Sequence, residues 1–365
     1  MTAVMNISVY VLTHKNFTPP KDKIYVPLHV GHEGAASDLG YLADDTGDNI
    51  SELNKYFSEL TGLYWIWKNH GKGDLCACDD IVGTCHYRRY LLNDAGMLFD
   101  KNDISSLLST FDIITTKELT LPFPYHYGFS KNHDIDHLDA AGNALNRLYP
   151  EYHDTYEKLV NDTHSYFGNM MICKKSLFDR YCSWLFSILF ETEKNIRIPD
   201  DTDAYHKRVF GFISEFLLYV YVRHNGLKAL ECMVGMIGEK KETGECREQM
   251  SRFFGRRDYK GAKAYFLDYY KNRPDILMEA SDITGELHIC MQIISCCEFE
   301  ASEGDSGETV LDRLNDYGSL IRYFELLNEK VRAGIAMSKP LSQLVRELDE
   351  YPAREVSIAY KMFDQ

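Results

Sequence analysis

Short apolar runs with strand character recur through the first 238 residues and then stop, and this asymmetry sets the tightest limit on the fold. Asn6–Thr13, Ile24–Val30, Ile81–Leu91, Leu107–Thr116 and Phe167–Cys173 each carry β-branched or aromatic residues over a strand's length. Between them lie stretches with apolar residues at helical spacing. One runs from Ser51 through Leu53, Tyr56, Phe57, Leu60, Leu63, Tyr64 and Trp67, and another, Ser176–Glu193, is built on Leu177, Tyr181, Trp184, Leu185, Ile188 and Leu189. Strands alternating with helices predict an α/β domain with a mixed, mainly parallel sheet flanked by helices. From Arg247 onward only helical patterns remain. A chain of 365 residues exceeds what one core usually organises, so the reading is an α/β domain over 1–238 and a small all-α domain over 245–365, joined by the charged run Glu239–Glu245.

Hydrophobic residues at 45% and aromatics at 13% exclude a disordered chain. A formal net charge of −15 argues against nucleic-acid partners and against direct adhesion to anionic lipid. Met1–Tyr10 lacks the basic start and long apolar core of a signal peptide and no run has the length of a membrane span, so a cytoplasmic protein is expected. Ten cysteines scattered through so long a chain read as reduced thiols, and neither Cys76-Ala-Cys78 nor Cys296-Cys297 has the spacing of a zinc site. Asp258–Tyr270 with Pro274 behind it resembles one helix pair of a tetratricopeptide-like array, without a repeat at that period.

The stretch Ile81–Leu91 runs from apolar strand residues directly into His86, Arg88 and Arg89. Ligands of open α/β sheets sit outside the carboxyl ends of the strands, so two arginines and a histidine there suggest a phosphate or diphosphate site. The alternative is an edge strand with solvated arginines. Asp44–Asn49 is acidic and glycine-containing but lacks the Gly-Lys-Ser/Thr ending of a P-loop, which leaves helix capping as its local task. Pro122–Phe129 reads as an aromatic, histidine-rich loop, and Gly168-Asn169 supplies small polar groups at the entry to a strand. Glu215 stands among apolar neighbours ahead of a helix over Phe216–Val222. It is either a base with a raised pKa or a helix-surface glutamate.

Taken together, Gly47–Asn54, Glu59–Asn69, Gly83–Tyr90, Phe167–Lys175, Tyr181–Phe186 and Arg208–Glu215 resemble a bacterial glycosyltransferase family long catalogued as a domain of unknown function. The resemblance covers about residues 6–230 and leaves the helical tail outside. It implies a GT-A-like fold, a nucleotide-sugar donor, UDP-linked in the first instance, and transfer of a hexosyl group to a saccharide or lipid-linked oligosaccharide acceptor in capsule, exopolysaccharide or O-antigen synthesis. His86, Arg88 and Arg89 match the family's His-Tyr-Arg-Arg segment and Asn169 its Asn-Met motif. Glu215 matches a glutamate usually followed by arginine, where this chain has Phe216.

Glycosyl transfer needs the leaving diphosphate neutralised, an acceptor hydroxyl aligned and, for inversion, a base. Cations at the end of the Ile81 strand would repel a divalent metal, so His86, Arg88 and Arg89 are expected to hold the diphosphate directly. Mg²⁺ or Mn²⁺ stays an alternative through Asp134-Ile-Asp136, Asp201-Thr-Asp203 or Asp79-Asp80. Thr13, His14, Lys15, Asp48 and Asn49 are the candidates for the nucleotide, and His126, His133 and Asn169 for the sugar. Glu215 is the first choice of general base and Asp134 the second. The resemblance leaves room for docking at the inner face of the membrane, and the C-terminal helices for homo-oligomer formation. A degenerate domain that binds nucleotide or glycan without turnover, with the helical tail recruiting partners, is the other class of reading. A nucleotidyltransferase would need a carboxylate metal site that the sequence does not present convincingly.

Overall fold

The computed structural model describes residues 6–70, 81–238, 241–277, 281–303, 309–314 and 316–364. Cys76, Cys78, Asp79 and Asp80 lie outside the described residues. The chain divides into two compact units, Met1–Ile237 and Gly238–Gln365.

The strands of the first unit are β1 Ile7–Thr13, β2 Tyr25–His29, β3 Leu42–Ala43, β4 Ile81–His86, β5 Arg89–Leu91, β6 Ile113–Thr116, β7 Leu119–Thr120, β8 His164–Ser165, β9 Met171–Lys174, β10 Ala229–Cys232 and β11 Val234–Met236. The main sheet has the order β10-β6-β9-β4-β1-β2-β3, with β5 and β11 paired as a side ribbon and β7 and β8 forming a separate pair. β1 lies parallel to both β2 and β4, whereas β9 runs antiparallel to its neighbours β4 and β6. The carboxyl ends of β1, β2, β4, β6 and β10 therefore emerge together, and the chain entering β9 arrives at the same rim.

The unit's helices are α1 Asn54–Phe57, α2 Leu60–Asn69, α3 Lys101–Leu107, α4 Tyr125–Asn132, α5 Ile135–Leu148, α6 His153–Val160, α7 Lys175–Glu193 and α8 Val209–His224. Alternation along the strands sorts the core into two layers. Leu12, Leu28 and Val82 pack with Leu60, Phe178 and Phe216. Val9, Val11 and Ile81 face the other way and pack with Ile104 and Leu108. Each such side chain, fully withdrawn from water, contributes about 1.5–3 kcal/mol. Gly62 lets α2 lie close on the sheet, because a Cβ there would stand 2.7 Å from Val30 and 2.8 Å from Leu12.

Several boundaries differ from the expectations. The helix read from Ser51 to Trp67 is broken at Ser58, whose φ of 51° and ψ of −129° lie outside the helical region. The Tyr125–Phe129 loop is the start of α4. Pro124 precedes it, and Tyr125 and Phe129 bury one turn apart, with Tyr125 stacked on Phe216. Only Met171 onward joins the strand read from Phe167. Glu215 belongs to one long helix, α8, and not to a lead-in. β10 and β11 escaped notice because Glu231 and Gly235 interrupt two very short apolar runs.

The second unit contains α9 Lys241–Gly255, α10 Tyr259–Asn272, α11 Glu286–Glu303, α12 Val310–Arg313, α13 Tyr317–Ala336, α14 Leu341–Glu347 and α15 Ala353–Phe363, with no strand among the described residues. The charged run read as a linker already belongs to α9 from Lys241, where Thr243, Cys246, Met250 and Phe254 form a buried stripe. The described cysteines of the whole chain are free and buried. No described helix is long and apolar enough to cross a membrane.

Candidate functional site

β4 ends in a hairpin that pairs His86 with Arg89 across its two strands, and opposed residues of such a pair project to the same face. That face continues Val82 and Thr84 toward α2 and α8. Three other segments converge on it: the Ser58-Glu59 break between α1 and α2, the Gly168-Asn169 approach to β9, and α8 with Arg208 at its start.

Asn169 ties these segments together. Its backbone carbonyl accepts Thr84 Oγ1 at 3.1 Å, its Nδ2 donates to Glu59 Oε1 at 2.7 Å and to the Gly211 carbonyl at 3.3 Å, and its Oδ1 accepts Ser214 Oγ at 3.0 Å. The side chain is wholly buried and serves as a brace. Arg208 donates from Nε to Ser58 Oγ at 2.9 Å and places Nη2 3.8 Å from Glu59 Oε2, while its guanidinium lies over Phe212 at 5.6 Å. Ser58 holds a left-handed φ that favours glycine, at a cost of about 1–3 kcal/mol that its surroundings offset. Asn54 Nδ2 anchors the Ser58 carbonyl at 2.7 Å. The kink thus turns Glu59 inward and gives Arg208 its acceptor.

Burial pushes the Glu215 carboxyl up to about 7, and the neighbouring charge of Glu59 works in the same direction. Arg89, the Gly168 backbone and Arg208 oppose them. At Glu59, burial also acts upward, but His86, Arg208 and the Asn169 amide together hold its carboxyl below the ordinary value. Burial pushes the His86 imidazole well down, aided by Arg89 and Arg208 and opposed by Glu59, so the ring is neutral at pH 7. His86 Nε2 is buried with no hydrogen-bond partner among the described residues. An ionised Glu59, a Glu215 poised near neutrality and two arginines therefore share one rim of the sheet. Such a group can hold an anion beside a proton acceptor.

Four of the residues named from sequence, His86, Arg89, Asn169 and Glu215, meet here. Arg88 donates to the Ile237 carbonyl at 3.3 Å. Asp134 caps α5 by accepting the Asp136 amide, and His126 pairs with Asp139 at 2.9 Å on the outer side of α4 and α5. His133 stacks on Phe212 at 4.2 Å and so borders the site through the ring beneath Arg208. Thr13, at the end of β1, exchanges hydrogen bonds with Lys15 while His14 meets the Tyr87 ring edge-on at 5.6 Å. Asp48 accepts Tyr64 Oη from α2 at 3.1 Å, and Asn49 accepts the Ser51 amide ahead of α1, so both are engaged in local structure. Asp203 accepts the amides of Tyr205 and His206. No three His, Cys, Asp or Glu side chains among the described residues are grouped to hold a metal ion.

Glu59, Arg208 and Ser58 were not singled out from sequence. Glu59 and Arg208 stand at the heads of two motifs that carried the resemblance, and a polar Ser-Glu pair inside an otherwise apolar helical stripe was the local signal.

Comparison with known proteins bears on the same stretch. A solved structure of apo WbbM, described as a bifunctional glycosyltransferase, is similar with a TM-score of 0.57 and 28% identity over 64% of this chain and 46% of that one. The chain thus spans less than half of the length of that protein. No curated protein sequence matches. The pattern of a family described as a domain of unknown function, DUF4422, matches residues 8–226, which include every residue of the cluster, and the chain belongs to that family.

Proposed function

We propose that the first unit transfers a hexosyl group from a nucleotide-sugar, UDP-linked in the first instance, to a saccharide hydroxyl, with surface-polysaccharide assembly as the setting. The observation that carries this reading is Glu215, with its carboxyl near 7, beside Arg89 and Arg208 at the carboxyl ends of a mainly parallel sheet. The similarity to a glycosyltransferase structure supports the same chemistry.

In the proposed step, ionised Glu215 takes the proton of the acceptor hydroxyl as its oxygen bonds to the anomeric carbon. The bond from that carbon to the diphosphate oxygen breaks, and its electron pair leaves with the nucleoside diphosphate. Arg89 and Arg208 meet the charge that grows there. Glu59 fixes Arg208, and Asn169 fixes Glu59. The two guanidinium groups at this rim supply the positive charge that a divalent cation would otherwise bring to the diphosphate.

The test is release of nucleoside diphosphate from a panel of UDP-, GDP- and dTDP-sugars. Turnover with one of them, lost in a folded Glu215→Gln protein, supports the reading. No release from any of them, or full release by Glu215→Gln, overturns it.

A further inference from the structure

The axis of α8 carries an order that bears on where the acceptor lies. Arg208, Glu215, Tyr219 and Arg223 fall seven, four and four residues apart, so they follow one face of the helix at about 1.5 Å of rise per residue. The chain from Tyr166 to Asn169 runs alongside in the opposite sense. Asn169 meets Gly211 and Ser214, the Gly168 backbone meets Glu215, and the Tyr166 ring meets Tyr219 at 5.0 Å.

Beyond Glu215, at the ends of β6 and β10, this stripe reaches a second polar cluster. Tyr219 Oη donates to Glu118 Oε2 at 2.8 Å and Tyr166 Oη to Glu231 Oε1 at 2.8 Å. The guanidinium of Arg223 joins both carboxylates, bonded to Glu118 Oε2 and 3.5 Å from Glu231 Oε1. Glu118 Oε1 has no hydrogen-bond partner among the described residues, and the side chains of Arg223, Glu118 and Glu231 keep 42%, 25% and 28% of their exposure. The two tyrosines are buried and hold the charged groups at this rim.

In a single displacement with inversion, the course that a base at Glu215 serves, the acceptor oxygen approaches opposite the leaving group. With the diphosphate at Arg208 and Arg89, the acceptor stands on the other side of Glu215, toward Tyr219 and Arg223. We propose that Glu118, Arg223 and Glu231, aligned by Tyr219 and Tyr166, form a subsite that binds hydroxyl groups of the acceptor saccharide. An accessible carboxylate–guanidinium pair offers fixed acceptors and donors for neighbouring hydroxyls, the chemistry a neutral sugar needs. This inference rests on the transferase reading above.

The test uses the full chain, the best nucleotide-sugar of the panel, and p-nitrophenyl hexosides as acceptors. Arg223→Ala is expected to raise the acceptor KM about tenfold while the donor KM moves less than twofold. Glu118→Gln and Tyr219→Phe should give smaller rises in the same direction, and they serve if Arg223→Ala does not fold. An acceptor KM that stays constant in the folded variants, or that rises in step with the donor KM, overturns the subsite but leaves the transferase reading standing. Should the wild type release no nucleoside diphosphate, saturation-transfer NMR with the same hexosides decides the subsite alone. A wild-type signal lost in the variants supports it, and a retained signal, or none in the wild type, overturns it.

Discussion

Glu59 and Glu215 at the sheet rim, and Glu300 and Glu355 in the helical unit, are both pairs of glutamates drawn close to arginine, yet their oxygens are treated differently. In the helical unit Glu300 accepts the Val310 amide at 2.7 Å and Arg313 at 3.0 Å. Glu355 accepts Arg313 and, at 2.6 Å, Tyr323 Oη. Every carboxylate oxygen there has a partner, and both side chains are fully buried. At the rim, Arg208 Nη2 stays 3.8 Å from Glu59 Oε2, His86 Nε2 has no partner among the described residues, and Arg208 keeps 46% of its exposure. A buried acid pair is therefore not by itself a site. What separates the two is unspent hydrogen-bonding capacity facing an approach from solvent.

The largest expected effect tests that distinction directly. Glu215→Gln should lower nucleoside diphosphate release by about 100-fold or more, the range for a lost general base. Glu355→Gln should change it less than twofold, and equal losses would erase the contrast. The pH dependence follows from the same carboxyl. A base must be ionised, and Glu215 sits at about 7, so turnover should climb about tenfold per pH unit up to roughly pH 7 and level off above it. A plateau already reached at pH 5 would assign the base elsewhere.

Arg89→Ala should weaken UDP binding about tenfold by calorimetry, as expected for a lost charge-assisted hydrogen bond. Arg88→Ala should cost less than threefold, because its Nε is committed to Ile237. A reversed order would move the diphosphate to the side ribbon.

The smallest effect belongs to the helical unit. Burial raises the Glu355 carboxyl, with the charge of Glu300 adding to the rise and Tyr323 and Arg313 opposing it. Its folded-state value thus lies above the unfolded one. The native state binds the extra proton, so this stabilising contribution is complete below the ordinary carboxylate value and fades as pH climbs through the raised one. Thermal scans of Glu355→Gln should show a flatter decline of that unit's stability between about pH 5 and pH 8. An unchanged decline would mean that Arg313 keeps Glu355 ionised throughout.

Much of the first unit was legible because strand alternation and helical stripes are local signals. β1, β2, β4 and β6 and helix α7 lie where their apolar spacing predicts, within a few residues, whereas the stripe read from Ser51 becomes α2 only beyond the break at Ser58. Tyr125–Phe129 was not, since Pro, Gly and His masked a helix whose stability comes from Phe216 on a distant segment. The same contrast holds in the site. His86 and Arg89 are readable as a cationic strand end, but Ser58 and Arg208 are 150 positions apart and meet only across the fold.

By itself the sequence determined an α/β unit followed by helices, a cationic end to β4, and a glutamate among apolar neighbours in α8. Periodicity and charge written along the chain are enough for those. Tertiary structure alone decided that Arg89 joins the cluster while Arg88 turns to Ile237, that Asn169 is a brace, and that Asp134 is a helix cap. It also decided the state of Glu215. A carboxyl's pKa depends on what surrounds it in space, and its neighbours Glu59, Arg89, Gly168 and Arg208 come from four separate stretches of the chain.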